Sequence, residues 1–276
     1  MMNKKVLTIA GSDCSGGAGI QADLKTMCAH GVYGMSVITA VTAQNTLGVQ
    51  QVEELPAQIV EAQLSSVLSD IRPDAVKIGM VYSRKNVEAI AAAIDRWKLT
   101  NIVLDPVMVS TSGKILLQED AAEALQELLF PRVTLVTPNL PETGCLIESV
   151  SDADREKNTV SSVWWVENAA RQLTGYWHTS FLIKGGHMEG EPADYLDDGN
   201  HGCWFPGKRI ETRHTHGTGC TLSTAIACNL ACGMALPQAV EAAKDYRPGA
   251  ILHHPGIGHG CGPLNHLWSM QKDSGS

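Results

Sequence analysis

The features that this sequence lacks exclude several classes of protein. Aromatic residues make up only 5% of the 276 residues, so the hydrophobic content of 44% comes mainly from alanine and aliphatic side chains. The chain has no run of Lys or Arg and carries a net charge of −8 at pH 7, which makes nucleic acid and anionic membranes poor candidates as partners. No apolar stretch is long enough to cross a membrane.

The cysteines lack the spacing of a metal site. The chain has 8 cysteines, yet no two of them form a Cys-x-x-Cys pair. The apolar segment near the N-terminus is too short for a signal peptide. Together these observations predict reduced thiols in a cytoplasmic protein.

Short apolar runs alternate with helical patterns along most of the chain. Strands are predicted at 6–10, 35–41, 75–78, 101–104, 133–136 and 181–183. Helices are predicted at 20–30, 57–68, 86–97 and 119–129. A hairpin of 194–196 with 202–205 follows, and two helices at about 219–232 and 237–253 close the chain, the second of them kinked or broken at Pro248.

This alternation predicts an α/β fold with a mostly parallel central sheet and helices on both faces. Because no repeat or interdomain linker interrupts it, we expect a single domain over 1–270 and a disordered tail at 271–276. In such folds ligands bind beyond the carboxyl ends of the strands. The predicted strand ends carry the residues with the most distinctive chemistry, at 11–13, 79–80, 105–106, 137–139 and 184–186.

The segment most informative about function is the turn Gly217-Thr218-Gly219-Cys220, which runs directly into a helical pattern. A helix that begins with small residues leaves its first amide N–H groups uncovered, and its dipole adds partial positive charge there. Such an end can hold an anion, which the glycines allow to approach the backbone closely. The same field is expected to lower the pKa of the Cys220 thiol and favour the thiolate.

The order of several short motifs along the chain resembles one known family. These motifs are Gly11-Ser12-Asp13, Ser15-Gly16-Gly17-Ala18-Gly19, Gln44-Asn45-Thr46, Lys77-Ile78-Gly79-Met80, Asp105-Pro106-Val107-Met108, Thr137-Pro138-Asn139, Lys184-Gly185-Gly186-His187 and His216-Gly217-Thr218-Gly219-Cys220. Over about residues 5–267 they resemble the hydroxymethylpyrimidine/phosphomethylpyrimidine kinases of thiamine biosynthesis, in the ribokinase-like superfamily. The resemblance implies a three-layer α/β sandwich, a homodimer and two successive ATP-dependent phosphorylations of 4-amino-5-hydroxymethyl-2-methylpyrimidine.

The resemblance also assigns residues to ATP and Mg²⁺. Lys184, Asn139, Thr215 and Lys244 are expected to bind ATP, with the Lys184 ammonium directed at phosphate oxygens. Lys244 has an alternative role in a solvated ion pair, because its helix also carries acidic residues. Asp105 and Glu142 are expected to hold Mg²⁺, partly through water. The alternative for Glu142 is stabilisation of the first turn of a helix.

A second set of residues is expected to bind the pyrimidine. The Gln44 carboxamide can donate and accept side by side, which matches the amino and ring-nitrogen edge of an aminopyrimidine. Asp23 is expected to hold the substrate hydroxyl or ring, or else to stabilise a helix N-terminus. By resemblance the pocket floor and walls include Gly11, Ala18, Met80 and Val107.

By the same resemblance Cys220 occupies the position of the catalytic base. We expect a weak base that acts late, because in a loose transition state the hydroxyl loses its proton late. The alternative is that Cys220 only packs against the pyrimidine. The glycine- and histidine-rich ending at 253–266 is expected to form a loop near the nucleotide.

Three other functions remain open from the sequence. A pyridoxine or pyridoxal kinase shares the fold and many of these motifs, although relatives of that kind usually place an apolar residue where Gln44 stands. A sensor that binds the pyrimidine without phosphoryl transfer is a second alternative. A metal-binding cysteine protein is the third.

Overall fold

The computed structural model describes residues 4–108, 117–150, 162–186 and 190–271. Within these ranges the backbone forms a 9-stranded sheet. The strands are β1 (Lys5–Asp13), β2 (Tyr33–Asn45), β3 (Gly48–Glu54), β4 (Ala75–Ile78), β5 (Ile102–Leu104), β6 (Leu135–Val136), β7 (Ser180–Ile183), β8 (Ala193–Asp197) and β9 (Gly202–Pro206).

The helices alternate with these strands. They are α1 (Gly19–Ala29), α2 (Ala57–Leu68), α3 (Arg84–Trp97), α4 (Glu119–Ala124), α5 (Leu140–Val150), α6 (Val163–Trp177), α7 (Thr218–Ala231), α8 (Leu236–Leu252) and α9 (Trp268–Gln271). A π-helical turn, Leu125–Leu129, and a 3-10 turn, Phe130–Arg132, continue α4 toward β6. Of the helices within the described ranges, none combines the length and apolar character that a membrane span requires.

The sheet has the strand order β3-β2-β1-β4-β5-β6-β7-β8-β9. The six strands from β2 to β7 in this order pair in parallel. The antiparallel pairs are β2–β3 at one edge and β7–β8 and β8–β9 at the other. The carboxyl ends of the parallel strands therefore meet along one edge of the fold, where ligands bind in sheets of this kind.

Helices cover both faces of the sheet, which makes the fold a three-layer sandwich. In β1, Leu7 packs into the core that α2 and α3 complete, whereas Val6 packs into the core that α7 and α8 complete. This alternation follows from the two-residue period of a strand. The same period applies to β4, so Lys77 shares one face of the sheet with Ala75 and not with Val76. The Lys77 side chain therefore lies on the α7 side.

The predicted elements agree with this architecture, with a few differences. The helix at 57–68 and the strand at 75–78 are confirmed in full. The sequence missed β3, because its polar residues Gln50, Gln51 and Glu53 give an exposed edge strand no apolar run. A kink or a break was expected at Pro248, and the break is wrong, since α8 continues through it to Leu252.

Two predictions are not decided by the described residues. Most of the tail predicted at 271–276 lies outside them. The assignment of a single domain to 1–270 stays a prediction.

Candidate active site

A cavity of about 1060 Å³ lies at the carboxyl ends of the parallel strands. Every residue that the sequence placed in the site, except Asp23, lines it. These residues are Gly11, Ala18, Gln44, Met80, Asp105, Val107, Asn139, Glu142, Lys184, Thr215, Gly217, Thr218, Gly219, Cys220 and Lys244. The topology therefore collects motifs that are up to about two hundred residues apart in the chain.

Two glycine-containing loops meet at the wall of this cavity. Gly217 has a φ of 84°, in the left-handed region that favours glycine. A Cβ atom on Gly217 would lie 2.0 Å from the Gly17 carbonyl oxygen, and one on Gly17 would lie 2.5 Å from Cδ2 of His216. Both loops consequently need glycine where they touch.

Gly217 also caps α7, whose N-terminus points into the cavity. The Thr218 N–H donates to the Thr215 carbonyl oxygen at 3.2 Å, so it is already partly used. Within the described part of the chain, the N–H groups of Gly219 and Cys220 have no acceptor. The anion site expected over 217–220 is therefore centred on these two amides, which carry the positive end of the helix dipole.

The expectation that this field lowers the pKa of Cys220 is wrong. Burial raises the pKa of the Cys220 thiol, and the negative charges of Asp23 and Asp105 raise it further, although Lys77 opposes them. Desolvation penalises the thiolate more than the helix dipole and one buried ammonium can compensate. Cys220 is a neutral thiol at the cavity wall.

Lys184 follows β7 and reaches into the cavity beside the glycine turn. Its Nζ donates to Asp105 Oδ1 at 2.7 Å, and a Cβ atom on Gly219 would lie 3.5 Å from the same Nζ. Burial alone would lower the pKa of Lys184, but the carboxylates of Asp105 and Glu142 raise it. A fixed ammonium thus lies directly below the anion-binding amides.

Asn139 and Glu142 form a reciprocal cap at the start of α5. The Glu142 N–H donates to Asn139 Oδ1 at 2.9 Å, and the Asn139 N–H donates to Glu142 Oε2 at 2.8 Å. This is the geometry of a capping box, so the helix-stabilising role of Glu142 holds alongside its place in the cavity wall. Asn139 likewise spends its side-chain oxygen on the helix rather than on a ligand.

The two carboxylates also provide the donor set that Mg²⁺ prefers. Burial raises the pKa of Glu142 to about 7, with Lys184 lowering it and Asp105 raising it. Asp105 and Glu142 therefore repel each other across the cavity wall, and a cation between them would relieve the repulsion. Mg²⁺ takes oxygen ligands, keeps several waters and needs only one or two carboxylates, so these residues fit the ion.

Asp23 does not line the cavity, and its expected contact with substrate is corrected by the structure. Both Asp23 oxygens bind the Lys77 Nζ, at 2.9 and 2.8 Å, and each also accepts a hydroxyl proton, from Thr224 and from Thr8. Asp23 and Lys77 are completely buried. Every lone-pair direction of the carboxylate faces protein, so Asp23 acts beneath the cavity and only Lys77 reaches its wall.

The sequence missed Lys77 as a site residue. Burial alone would lower its pKa, but the charges of Asp23 and Asp105 raise it, which keeps the ammonium charged. A lysine in the otherwise apolar strand Ala75–Ile78 was the available signal, because an unpaired charge is not tolerated in such a strand.

Lys244 lines the cavity but is held by protein groups. Its Nζ donates to Asp194 Oδ2 at 2.9 Å and to the Phe205 carbonyl oxygen at 2.6 Å. Asp194 Oδ1 in turn accepts the Gly185 N–H at 2.9 Å. The ion pair is buried rather than solvated, and its partner lies on β8 rather than on the lysine's own helix. Lys244 therefore positions the turn after Lys184 through Asp194, and its direct role with ATP stays a prediction.

Gln44, near the end of β2, lies beside the glycine turn. Its Nε2 is 3.1 Å from His216 Nε2, and its Oε1 is 3.2 Å from Thr42 Oγ1. His216 Nε2 is also 2.8 Å from Asp13 Oδ2. The sequence did not assign roles to Asp13 and His216, although both lie within the motifs that carry the resemblance.

The glycine- and histidine-rich ending does not border the cavity as expected. The Cys261 N–H donates to the Thr46 carbonyl oxygen at 2.8 Å, and the His216 N–H donates to the Gly262 carbonyl oxygen at 3.1 Å. This segment therefore connects the loop after Gln44 to the glycine turn. Its expected position near the nucleotide stays a prediction.

Comparisons with known proteins agree with this site. The family model described as phosphomethylpyrimidine kinase matches residues 13–265. The hydroxymethylpyrimidine/phosphomethylpyrimidine kinase of Rhizobium meliloti is 48% identical over 278 residues, which covers 99% of this chain and 100% of that protein.

Solved structures show the same fold. The phosphomethylpyrimidine kinase of Clostridium difficile superposes with a TM-score of 0.77 at 40% identity, over 90% of this chain and 100% of that one. The pyridoxal kinase of Staphylococcus aureus, solved with AMP-PCP and pyridoxal, gives a TM-score of 0.86 at 32% identity, over 97% and 95% of the two chains. The ribokinase-like fold expected from the resemblance is confirmed. The protein is a kinase that belongs to the phosphomethylpyrimidine kinase family.

Proposed function

We propose that this kinase transfers phosphate from ATP to the hydroxymethyl group of 4-amino-5-hydroxymethyl-2-methylpyrimidine, and then to the monophosphate so formed. The observation that carries the proposal is the position of Gln44. Its carboxamide contacts His216, the residue directly before the anion-binding turn. A ring read by this carboxamide would hold its neighbouring hydroxymethyl group close to the amides of Gly219 and Cys220.

In the first step the substrate hydroxyl oxygen attacks the γ-phosphorus of ATP, a P–O bond forms, and the bond to ADP breaks. Negative charge spreads over the transferred group, and the amides of Gly219 and Cys220 and the Lys184 ammonium stabilise it. Because Cys220 is a neutral thiol, it cannot accept the hydroxyl proton. That proton leaves late, after the P–O bond has formed, and passes to an oxygen of the new phosphate ester.

The same residues define the donor side of the site. Lys184 and Thr215 would contact the ATP phosphates, and Asn139 and Lys244 would hold the surrounding turns in place. Asp105 and Glu142 would hold Mg²⁺, which when bound neutralises phosphate charge. Gly11, Ala18, Met80 and Val107 would form the walls around the flat ring, since Met80 and Val107 already pack in one apolar cluster.

The setting of this activity follows from the same resemblance. We infer a homodimer with small-molecule substrates and no nucleic acid or membrane partner, in the cytoplasm, where ATP is the common phosphoryl donor. The net charge of −8 supports the exclusion of polyanionic partners. Size-exclusion chromatography with light scattering tests the dimer.

A pyridoxal kinase is the second candidate, because the Staphylococcus aureus enzyme of that activity superposes closely on this chain. Backbone similarity alone does not choose between substrates. Gln44 does, since a carboxamide pairs with the donor and acceptor edge of an aminopyrimidine, which pyridoxal does not offer.

The test is a competition assay with the pyrimidine, pyridoxal and ATP, followed by mass spectrometry. Gln44→Met is expected to lower kcat/KM for the pyrimidine about 100-fold, because a hydrogen-bonding edge is lost, while KM for ATP stays unchanged. Gln51→Met, on the exposed edge strand β3, is the matched control.

Two results would contradict the proposal. In the first, wild-type enzyme phosphorylates pyridoxal more efficiently than the pyrimidine. In the second, Gln44→Met keeps full efficiency on the pyrimidine. Folded protein that binds the pyrimidine without consuming ATP would instead indicate a sensor.

A further inference from the structure

His216 and Asp13 form a buried pair against the carboxamide of Gln44. His216 Nε2 lies 2.8 Å from Asp13 Oδ2 and 3.1 Å from the outer end of the Gln44 side chain. His216 is 7% exposed and Asp13 is 2% exposed. A single ring nitrogen thus contacts both a carboxylate and a carboxamide, and its protonation decides what each contact is.

Asp13 is an ionised acceptor. Its Oδ1 accepts the Ser15 N–H and hydroxyl, and its Oδ2 accepts the N–H groups of Gly17 and Ala18. These four donors, three backbone N–H groups and one hydroxyl, favour the charged form of the carboxylate without any contribution from His216. With an ionised carboxylate at 2.8 Å, His216 Nε2 must carry a proton, because two lone pairs would otherwise face each other.

A protonated Nε2 cannot accept a hydrogen bond from a carboxamide NH₂. The group of Gln44 that faces His216 is therefore the oxygen. Amide oxygen and nitrogen are assigned from hydrogen-bond networks rather than by their positions alone, and here the network decides.

The opposite end of the carboxamide gives the same answer independently. Thr42 Oγ1 donates its one proton to the Ser12 carbonyl oxygen at 2.8 Å. It has no further proton for Gln44 but retains a lone pair, so the atom at 3.2 Å from it must be the donor NH₂. His216 and Thr42 therefore require the same orientation of the Gln44 carboxamide.

We propose that the His216–Asp13 pair is a specificity-determining positioning device, which holds the Gln44 oxygen on the side of the glycine turn and its nitrogen on the side of Thr42. This inference rests on the proposed function for its substrate. In the pyrimidine ring the 4-amino group lies between the ring nitrogen N3 and the 5-hydroxymethyl group. A carboxamide oxygen nearest the turn therefore accepts from the amino group and leaves the hydroxymethyl group pointing at the turn.

The reverse orientation would bind the ring the other way round. A carboxamide nitrogen beside the turn would donate to N3 and place the hydroxymethyl group away from Gly219. An analogue with a 4-oxo group has the reverse hydrogen-bond pattern on this edge, because N3–H is a donor and O4 is an acceptor. The fixed carboxamide rejects that analogue, and a carboxamide free to rotate accepts it.

The first test is independent of activity. In long-range ¹⁵N–¹H correlation spectra of the wild-type protein, His216 is expected to have a protonated Nε2, as the neutral Nε2–H tautomer or the imidazolium. The resonance is assigned by its loss in His216→Gln. A bare Nε2 with a protonated Nδ1 would overturn the proposal even if the enzyme phosphorylates the pyrimidine.

The second test measures the ratio of kcat/KM for the 4-amino substrate to that for the 4-oxo analogue. His216→Phe removes the donor, and the ratio is expected to fall about tenfold. His216→Gln carries an amide NH₂ close to the position of Nε2, and is expected to keep the ratio within about threefold of wild type. A folded His216→Phe protein with an unchanged ratio would overturn the proposal. If wild type uses neither pyrimidine, the proposed function fails, and the spectra alone decide the state of His216.

Discussion

Two lysine–aspartate pairs lie at the same cavity and differ in what surrounds them. The Lys77–Asp23 pair is completely buried, and two threonine hydroxyls occupy the remaining positions on the carboxylate. The Lys184–Asp105 pair joins at 2.7 Å, but its lysine side chain keeps 14% of its surface exposed, toward the cavity. The residue types are identical, so the difference lies in what can reach the lysine.

The comparison distinguishes a lysine that stabilises the fold from a lysine that can contact a phosphate. The completely buried pair has no exposed surface that a phosphate could contact, and its charges compensate each other within the protein. An open pair can exchange part of its interaction for a ligand, since the Lys184 ammonium has further N–H donors. The sealed pair therefore supports the floor under Cys220, and the open pair meets the transferred phosphoryl group.

Lys77→Met is expected to have the largest effect on stability. It leaves the Asp23 carboxylate buried without its partner, which costs about 3–5 kcal/mol of the free energy of unfolding. The measurement is urea denaturation followed by circular dichroism. The double variant Lys77→Met/Asp23→Leu should recover most of the loss, and a single variant as stable as wild type would contradict the sealed-pair role.

Lys184→Met is expected to show the opposite pattern. It should lower kcat by about 10³-fold, because an ammonium that stabilises transferred charge is lost. The loss of stability should be smaller than in Lys77→Met, because the Lys184 side chain keeps 14% of its surface exposed. Steady-state kinetics and the same denaturation series give both numbers. An equal loss of stability in the two lysine variants would remove the distinction between the pairs.

The Asp13 carboxylate adds a pH-dependent contribution to stability. Its pKa falls from an ordinary value of 3.8 to about 2 in the folded protein. The contribution, about 2 kcal/mol, is therefore complete above about pH 4 and is lost as the pH falls toward about 2. Urea denaturation of wild type and Asp13→Asn from pH 6 to pH 3 checks this: the gap between them should narrow with acid, and a gap that widens would contradict it.

Cys220→Ala is expected to have the smallest effect. A neutral thiol contributes little as a base, so kcat should fall about tenfold or less, well short of the Lys184→Met loss. The half-buried Cys220 thiol, whose pKa is raised, should also react with iodoacetamide at pH 8 far more slowly than the exposed Cys14, as measured by peptide mass spectrometry. A greater loss of kcat in Cys220→Ala than in Lys184→Met would restore Cys220 as the base.

The sequence was sufficient for much of this fold because its strands are short, apolar and parallel. Their carboxyl ends must meet at one edge, which predicted that Asp13, Asp105 and Lys184 lie along that edge, whereas the family resemblance added Gln44 and the glycine turn. The edge strand β3 was missed because its side chains are polar and exposed.

The features of the site that could not be predicted from the sequence are ion pairs between residues on different helices and strands. Asp23 and Lys77 are buried partners from α1 and β4, and Lys244 pairs with Asp194 on β8. Nothing local to either residue identifies such a partner. The prediction of a lowered Cys220 pKa was wrong for a related reason. Desolvation and the carboxylates of other elements outweigh the helix dipole, which is the one of these effects that the sequence indicates.

A crystal structure of the enzyme with ADP, Mg²⁺ and the hydroxymethylpyrimidine tests the proposed site most directly. We expect the amino and N3 edge of the ring on the Gln44 carboxamide, the hydroxymethyl oxygen directed at the amides of Gly219 and Cys220, and Lys184 Nζ within hydrogen-bond distance of a phosphate. A ring bound with that edge away from Gln44, or a phosphate that contacts neither Lys184 nor the N-terminus of α7, would contradict the proposed site.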